Sequence, residues 1–293
     1  MKDLKEFRYP KDINEAIRLL NDGDGKAKVI AGGTSLTTLK GKGVKTLVDI
    51  SRLGLDAITK VKEGLSIGAC TTAYMLSEAQ ELSRPGFRAL QEASMTAGPH
   101  GVRTALTIGG NVAQCYPWSD LPVPLLVLGA KVKTAGKNPR ELEISQLMER
   151  HPSKVLESDE FIKEFILPID EEPPGTTGSA FIKISRTKTD DGLATAAAWV
   201  KGVAPQGSEF EIRDMRVAIG SVRSLPVLIE GIEPLWNKSD VSDEEWIEKI
   251  GDEVLSQVGP IADIRASSEY RNRLIKTASM RAVRMAVKRA IEE

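Results

Sequence analysis

The stretch Val29-Ile30-Ala31-Gly32-Gly33-Thr34-Ser35-Leu36 decides how the rest of the sequence is interpreted. An apolar run leads into paired glycines and then into two hydroxyl residues, which predicts a strand that ends in a tight loop. Glycine tolerates a positive φ angle and lets a ligand approach the backbone closely. Backbone N–H groups in such a loop can surround a phosphate, and the Thr34 and Ser35 hydroxyls add donors. The stretch alone also fits a plain turn, so that alternative stays open.

A second paired-glycine stretch, Thr107-Ile108-Gly109-Gly110-Asn111, repeats the theme farther along the chain. Two such loops, each flanked by polar side chains, suit an elongated ligand with a diphosphate in its middle. Neither stretch carries the G-x-G-x-x-G fingerprint of a Rossmann site or the Gly-Lys-Ser/Thr ending of a P-loop. These two classes of nucleotide-binding protein are therefore disfavoured.

The composition is typical of a soluble globular protein. The chain has 293 residues, enough for two domains, and its 40 basic and 41 acidic side chains nearly cancel. We find no clustered basic face that would predict nucleic-acid binding and no apolar run of about 18 residues that would predict a membrane span. The charged start of the chain is not typical of a signal peptide, so we expect a cytoplasmic protein.

The few cysteines and histidines limit the metal chemistry that this chain can carry. Cys70 and Cys115 cannot hold an iron–sulfur cluster, which takes about four Cys ligands. His100 and His151 do not form a metal-binding pair at helical spacing. We therefore predict no metal site here, and an organic cofactor if the protein does redox chemistry. Both thiols are expected to be buried and inert.

Apolar periodicity and turn signals predict a mixture of helices and strands. The predicted helices span residues 12–20, 72–82, 86–95, 120–128, 226–236, 243–258 and 267–291. The predicted strands span residues 28–30, 46–50, 65–69, 130–134, 160–167, 179–185, 194–200 and 210–219. Residues 170–178 combine acidic residues with prolines and glycines, which is typical of a linker. The sequence thus predicts two domains, the second an antiparallel sheet followed by helices, an α+β pattern.

A charge cluster that includes Lys183, Arg186 and Lys188 stands where the first strand of the second domain ends. Such a cluster is usual in a solvated turn. A cationic side chain directed back toward the first domain is the alternative, and the residues alone leave both open.

Taken in order, the motifs resemble the FAD-binding, medium subunit of the molybdenum hydroxylases, the group of xanthine dehydrogenase and carbon monoxide dehydrogenase. The resemblance covers nearly the whole chain. Besides the two glycine stretches, it is carried by Phe7-Arg8-Tyr9-Pro10, Val48-Asp49-Ile50, Ile67-Gly68-Ala69, Val102-Arg103, Ser119-Asp120, Pro168, Lys183, Arg186 and Ser268-Glu269-Tyr270-Arg271.

The resemblance implies an α+β fold with two domains. Residues 1–172 would form an FAD-binding domain of two subdomains, similar to the vanillyl-alcohol-oxidase (PCMH-type) flavoproteins. Residues 178–291 would form a C-terminal α+β domain like that of the carbon monoxide dehydrogenase flavoprotein, an antiparallel sheet with helices.

The resemblance also implies which residues bind FAD. Residues 31–35 would wrap the diphosphate, and residues 107–111 would hold the cofactor from the other side and lie near the flavin ring. Asp120, with Ser119 beside it, would bind a sugar or ribityl hydroxyl, while Ile162 and Lys183 would approach the isoalloxazine. The full implied set is Val29, Ile30, Ala31, Gly32, Gly33, Thr34, Ser35, Leu36, Thr107, Ile108, Gly109, Gly110, Asn111, Ser119, Asp120, Ile162 and Lys183. No catalytic residue is implied.

The implied role is electron transfer within an oxidoreductase complex. Substrate would be hydroxylated at a molybdenum cofactor on a large molybdopterin-binding subunit, and electrons would cross two [2Fe-2S] clusters on a small subunit to FAD on this chain. FAD would pass them to NAD⁺, oxygen, a quinone or another carrier. Molybdopterin and clusters would sit on the partners only, in a dimer of heterotrimers. The alternatives are a stand-alone FAD-dependent oxidoreductase and an assembly subunit that has lost FAD, although the intact glycine pairs argue against the latter.

Overall fold

The computed structural model describes residues 3–36, 43–169, 176–203, 210–236 and 244–292. The strands are β1 (Glu6–Arg8), β2 (Ala27–Ile30), β3 (Thr46–Asp49), β4 (Ile58–Val61), β5 (Gly64–Gly68), β6 (Lys131–Ala135), β7 (Glu141–Glu143), β8 (Phe161–Pro168), β9 (Thr176–Ile184), β10 (Ala194–Val203), β11 (Glu211–Gly220) and β12 (Val227–Leu228). The helices are α1 (Ile13–Asp22), α2 (Ala73–Glu78), α3 (Arg88–Thr96), α4 (His100–Arg103), α5 (Ile108–Gln114), α6 (Pro122–Val127), α7 (Ile144–Met148), α8 (Glu233–Trp236), α9 (Glu244–Gln257) and α10 (Ser268–Glu292). None of these helices combines the length and apolarity that crossing a bilayer requires.

Two compact units make up the chain, and neither is continuous in sequence. The first consists of residues 1–75, 100–115 and 129–168, and the second of residues 76–99, 116–128 and 169–293. Most of the predicted linker lies outside the described residues, and β9 already begins at Thr176. The contiguous division into residues 1–172 and 178–291 stays a prediction.

The first unit contains a small parallel sheet that ends at the first glycine stretch. Its strand order is β1-β3-β2, and α1 packs on it through Ala16 and Leu20, which share a buried cluster with Ala27. Asp12 begins α1 as predicted, because its side chain accepts a hydrogen bond of 2.7 Å from the N–H of Glu15. β2 therefore leads directly from this core into the loop that follows Ile30.

The first unit also contains an antiparallel sheet with the strand order β4-β5-β8-β6-β7. β8 lies at its centre, and the Phe165 side chain is fully buried. A register shift between Lys133 and Thr134 interrupts the pairing of β6 with β8 near Ile162. β5 agrees with the predicted strand, whereas its hairpin partner β4 was not predicted, because most of β4 is exposed and lacks a buried apolar face.

The second unit is built around an antiparallel sheet with the order β12-β11-β10-β9. The long helix α10 packs on it against a β10 that is rich in buried alanines, such as Ala196 and Ala198. At Gly178 a Cβ atom would lie 2.0 Å from the carbonyl oxygen of Ala286, so this helix can approach β9 only at a glycine. The predicted sheet followed by helices is therefore the observed arrangement.

The predicted helix at residues 226–236 is wrong over most of its length. Val227 and Leu228 instead pair with Ile219 and Ala218 as the edge strand β12, and only Glu233–Trp236 is helical. Gly231 adopts a φ angle of 66°, which breaks a helix at that point. Pairing with the open edge of β11 outweighs the local apolar periodicity.

Arg271 connects three separate segments of the second unit. Its guanidinium donates hydrogen bonds to the carbonyl oxygens of Leu193 (2.6 Å) and Ser221 (2.7 Å) and forms an ion pair of 2.8 Å with Asp263. Hydrogen bonds from Arg265, and then from Arg271, hold the pKa of Asp263 below its usual range. Arg271 therefore fixes the ends of β9–β10 and β11 to the loop that precedes α10.

We predict that Arg271→Met destabilises the second unit by about 3 kcal/mol, because it leaves two buried carbonyls without their donor and removes one of the two guanidinium groups that pair with Asp263. Urea unfolding followed by tryptophan fluorescence measures this, since Trp118, Trp199, Trp236 and Trp246 all belong to the second unit. Arg273→Met is the matched control: the Arg273 side chain is 74% exposed, in an i,i+4 pair with Glu269, and little change is expected. Equal unfolding midpoints for the two variants would contradict the assigned role.

Candidate functional site

A cavity of about 360 Å³ opens in the first unit. This volume lies within the usual range of small-molecule pockets, roughly 300–1,000 Å³. Three parts of the unit form its walls: residues 28–36, helix α5 with its N-cap residue, and residues 153–162. Leu20, Ile50 and Ala69 add apolar surface from neighbouring elements. The first glycine stretch thus forms one side of the cavity.

The first glycine stretch requires glycine for two different reasons. A Cβ atom at Gly32 would lie 1.5 Å from the carbonyl oxygen of Ala105, so nothing larger than hydrogen fits there. Gly33 adopts a φ angle of 69°, which L side chains rarely adopt. Among the described residues, the backbone N–H groups of Gly32 and Thr34 have no protein acceptor. Two donors at the cavity wall are therefore available to an anionic ligand.

The second glycine pair lies in the first turn of α5 and not in a loop. Thr107 is the N-cap residue, and its side chain accepts from the N–H of Gly110 at 3.2 Å. The N–H groups of Ile108 and Gly109 donate to the carbonyls of Thr71 and Ala69, both at 2.9 Å. These amides are thus used within the protein. Gly109 allows close packing, because its Cβ would lie 2.7 Å from that of Ala69.

Most of the residues predicted to bind the cofactor meet at this cavity, although their contact with a ligand stays a prediction. The predicted residues that line it are Val29, Ile30, Ala31, Gly32, Gly33, Thr34, Ser35, Leu36, Thr107, Gly109, Gly110 and Ile162. Ile108 and Asn111 belong to α5 without lining the cavity. Ser119, Asp120 and Lys183 belong to the second unit and do not line it either.

Sequence reasoning missed one side of the cavity, which we call the wall segment (residues 151–160). Its hydroxyl, apolar and acidic side chains that line the cavity are Ser153, Leu156, Glu157, Ser158 and Glu160. The segment carries no glycine signature. The sequence signal that could have indicated a binding role is the run of polar residues directly before the strand β8. Binding residues often lie on such loops, which a rigid scaffold holds in place.

Three side chains anchor the wall segment to neighbouring parts of the first unit. His151 Nε2 lies 2.9 Å from the carbonyl oxygen of Gln114, to which it donates, and its Nδ1 lies 2.8 Å from Ser153 Oγ. Asp159 accepts a hydrogen bond of 3.1 Å from the N–H of Lys137. The third anchor is the ion pair between Glu160 and Arg140. The segment is therefore held by α5 on one side and by the β6–β7 turn on the other.

The Arg140–Glu160 pair is bidentate. Arg140 Nε and Nη2 each lie 2.9 Å from one oxygen of the Glu160 carboxylate, and the N–H of Glu157 adds a third donor at 3.0 Å. Burial by itself raises the pKa of Glu160, but these bonds outweigh it, and the pKa lies below its usual value. Arg140 also donates to the Val155 carbonyl at 2.6 Å. A negative charge at the cavity wall is thus neutralised.

The second unit holds a buried ion pair that involves two of the predicted residues. Lys183 Nζ donates to Asp120 Oδ2 at 2.7 Å and to the Thr96 carbonyl at 2.9 Å, and both charged side chains are at most 5% exposed. Burial raises the pKa of Asp120 to about 6, against the opposing effect of Lys183. Its second oxygen, Oδ1, is buried without a donor among the residues that the structure describes. One acceptor position of this carboxylate is therefore unused by those residues.

Both cysteines are buried free thiols. Burial, with smaller contributions from the charges of Asp56 and Asp49, raises the pKa of Cys70 to about 12. Burial raises the pKa of Cys115 to about 12 as well. Because the reactive form of cysteine is the thiolate, both thiols are unreactive near neutral pH, as the sequence predicted.

Comparison with known protein families matches the two parts of the chain separately. The profile of a family described as the FAD binding domain in molybdopterin dehydrogenase matches residues 4–170. A second family, described as the CO dehydrogenase flavoprotein C-terminal domain, matches residues 179–286.

Individual relatives align over nearly their full lengths. The chain is 29% identical to 6-hydroxypseudooxynicotine dehydrogenase complex subunit alpha of Paenarthrobacter nicotinovorans, over 95% of this chain and 93% of the relative. It is also 29% identical to the xanthine dehydrogenase FAD-binding subunit of Escherichia coli O157:H7, over 98% of this chain and 97% of that relative. Among solved structures, reconstituted CO dehydrogenase from Oligotropha carboxidovorans matches with a TM-score of 0.87, 25% identity and 98% coverage of each chain.

We predict that Arg140→Met destabilises the first unit by about 1–3 kcal/mol at neutral pH, because Glu160 remains buried without its partner while solvent reaches part of the site. The pKa of Glu160 is lower in the folded than in the unfolded state, so the pair stabilises the fold above the ordinary Glu pKa of about 4.3. This contribution is lost as the pH falls through the lowered pKa. Thermal unfolding of wild type and variant between neutral and acidic pH measures this stability difference. A difference that grows in acid would contradict the stabilising role of the Arg140–Glu160 pair.

Proposed function

The chain belongs to the family of the FAD binding domain in molybdopterin dehydrogenase, and on this premise we propose that it is the electron-transfer subunit of a molybdenum hydroxylase. FAD is its cofactor, and the protein is a subunit of an oxidoreductase. The sequence-based predictions of the family, the fold class, the cofactor and the enzyme class are thereby confirmed. The route of the electrons and the composition of the complex are the parts that we propose.

The observation that carries the proposal is the pair of available N–H groups at Gly32 and Thr34, in a cavity that is otherwise partly apolar. We assign these amides to the FAD diphosphate, because successive backbone donors in a glycine loop suit an anion. When bound, FAD supplies the redox chemistry by accepting and releasing electrons. The chain binds and orients the cofactor. Electron transfer does not require one of its side chains to act as an acid or a base.

Within the second unit, we assign Asp120 and Lys183 to the same cofactor. The free Oδ1 of Asp120 suits a sugar or ribityl hydroxyl, with Ser119 beside it. Lys183 donates hydrogen bonds to Asp120 and to the Thr96 carbonyl. A cation near the flavin N1–C2 region favours the reduced, anionic flavin, which fits the uptake of electrons. Ile162 keeps its proposed place beside the isoalloxazine.

We assign the remaining redox groups to partner subunits. The two thiols of this chain are buried and protonated near neutral pH, whereas iron–sulfur clusters need about four thiolates. We propose a small subunit with two [2Fe-2S] clusters and a large molybdopterin-binding subunit, arranged as a dimer of heterotrimers. The names of two relatives support partners, since the Paenarthrobacter nicotinovorans protein is a "complex subunit" and a carbon monoxide dehydrogenase relative from Afipia carboxidovorans is a "medium chain". Electrons would leave FAD for an external acceptor.

Affinity isolation of the tagged full chain from its host tests this assignment. We expect flavin, molybdenum and iron in the isolated material, together with two further polypeptides in equal amounts. The visible spectrum should show both flavin and iron–sulfur absorption. A chain that is isolated alone with FAD, and that oxidises an organic substrate by itself, would contradict the proposal and favour a stand-alone oxidoreductase.

We predict that Gly32→Ala weakens FAD binding by about 100-fold, because the new Cβ collides with the Ala105 carbonyl and displaces the loop that carries the two donors. Titration of the flavin-free chain with FAD measures the dissociation constant. Gly101→Ala is the matched control, since nothing lies within 4 Å of a Cβ there and its φ angle is unstrained. Equal FAD affinity of both variants would refute the role of the loop.

We also predict that Gly110→Val lowers the flavin content without unfolding the second unit. Gly110 lines the cavity, so the added isopropyl group would occupy space that the cofactor needs. The bound flavin per chain is measured from the visible spectrum, and the fold of the second unit from its tryptophan fluorescence. An unchanged flavin content would show that this face of α5 does not contact FAD.

A further inference from the structure

The second unit exposes a group of large apolar side chains around the turn that precedes α10. They are Trp118, Ile261, Ile264 and Tyr270, and we call them the apolar patch. Ile264 is fully exposed, and Ile261 is 61% exposed. Single exposed apolar residues are common in soluble proteins, but a group of them that shares one surface is typical of a protein–protein contact.

Contacts between loops of the second unit bring the apolar patch together. The Arg265 guanidinium carbon lies 5.4 Å from the centroid of the Trp118 ring. Ile264 directly precedes Arg265, and the N–H of Ile261 donates to the Val222 carbonyl at 3.0 Å. The turn before α10 therefore lies beside both Trp118 and the loop that follows β11.

Hydrogen bonds hold the turn that presents Ile264. The N–H of Asp263 donates to the Ala266 carbonyl at 3.1 Å, and Asp263 Oδ1 accepts from the N–H groups of Arg265 (2.8 Å) and Ala266 (3.2 Å). The ion pair with Arg271 connects the same carboxylate to α10. Because the turn is ordered before a partner arrives, a contact with Ile264 costs little conformational entropy.

Basic side chains flank the apolar patch. The β9–β10 loop (residues 185–193) joins the turn through an ion pair of 3.6 Å between Asp191 and Arg265, and the loop after β11 carries Arg223. In the part of the chain that the structure describes, the exposed charges of these two loops without an ion-pair partner are Arg186, Lys188, Asp190 and Arg223. Cations outnumber anions in this set, so the edge of the patch has a net positive charge. Such a surface fits a partner with negative charge around an apolar contact.

The location of the patch indicates which partner it suits. Trp118 stands two residues before Asp120, so their Cα atoms lie within about 8 Å of each other. A protein on the patch is therefore next to the part of the second unit that we assign to FAD, where an electron-delivering protein has to dock. The thiolate and sulfide ligands of an oxidised [2Fe-2S] cluster outweigh the charge of its iron atoms, so a subunit that carries such clusters brings negative charge to this surface.

We propose that the apolar patch, with Arg186, Lys188 and Arg223 beside it, docks the [2Fe-2S] subunit of the complex. Ile264 packs into an apolar depression of that subunit, and the cations face its carboxylates. This inference rests on the proposed function and names the surface that receives the electron-donating partner.

Affinity isolation of the complex through the tagged full chain tests the role of Ile264. We expect Ile264→Glu to lower the iron-to-flavin ratio of the isolated material by about fivefold or more, because a charge replaces an apolar contact at the centre of the interface. The flavin content per chain should not change. Ile291→Glu is the matched control and should keep the wild-type ratio, since Ile291 is also exposed, at 52%, and lies about 30 Å from Tyr270 along α10.

Three results of this isolation would overturn the inference. The first is an unchanged iron-to-flavin ratio in Ile264→Glu. The second is an equal loss of iron in both variants, which would show that the effect does not depend on the patch. The third is a loss of flavin from Ile264→Glu, which would show that this residue supports the fold of the chain and not the contact with a partner.

Cross-linking of the wild-type complex identifies the protein that occupies the patch. A carbodiimide joins the Lys188 amine to a carboxylate that touches it, and mass spectrometry identifies the linked peptide. We expect a peptide of the cluster-bearing subunit. A link to the molybdopterin-binding subunit or to a second copy of this chain, or no link at Lys188, would overturn the inference, while flavin, iron and molybdenum in the same complex would leave the proposed function standing. A wild-type chain that is isolated without iron would reject both.

Discussion

The contact between Gly32 and the carbonyl of Ala105 is the constraint on which the candidate site depends. A Cβ atom at Gly32 would lie 1.5 Å from that oxygen, so the loop after β2 can reach its place only with a bare Cα. In that place the N–H groups of Gly32 and Thr34 have no acceptor in the part of the protein that the structure describes. The close contact at Gly32 thus fixes a loop conformation in which the N–H groups of Gly32 and Thr34 lie at the cavity. An anionic group of a ligand can accept hydrogen bonds from them.

The sequence predicted the first glycine stretch well because its signal is local. Paired glycines after an apolar run meet the demands of that loop by themselves, and Gly33 has the positive φ angle that such a loop requires. The second pair was predicted as a similar loop and is instead the first turn of α5. Glycines disfavour helices by about 1 kcal/mol each, but Thr107 caps the turn, and Ala69 and Thr71 accept from its amides. Ala69 and Thr71 are distant from α5 in sequence, so the local sequence around Gly109 and Gly110 does not predict these hydrogen bonds.

The wall segment shows why the remainder of the site escaped prediction. Its shape depends on Arg140, His151 and Asp159, whose partners are Glu160, Gln114 and Lys137. Such pairings depend on how the sheet and α5 are packed, and no periodic pattern in the sequence reports them. The same holds for Arg271, which the family resemblance singled out but whose three partners only the fold reveals. The motifs in the sequence were enough to predict the class of cofactor. The side chains that shape the cavity could be identified only from the tertiary structure.

A crystal structure of the full chain with FAD bound tests the central claim most directly. The account predicts phosphate oxygens within hydrogen-bond distance, about 3.2 Å or less, of the backbone nitrogens of Gly32 and Thr34. It also predicts that the amides of residues 108–111 keep their protein partners. A diphosphate bound elsewhere, with the Gly32 and Thr34 amides facing only solvent, would contradict the account.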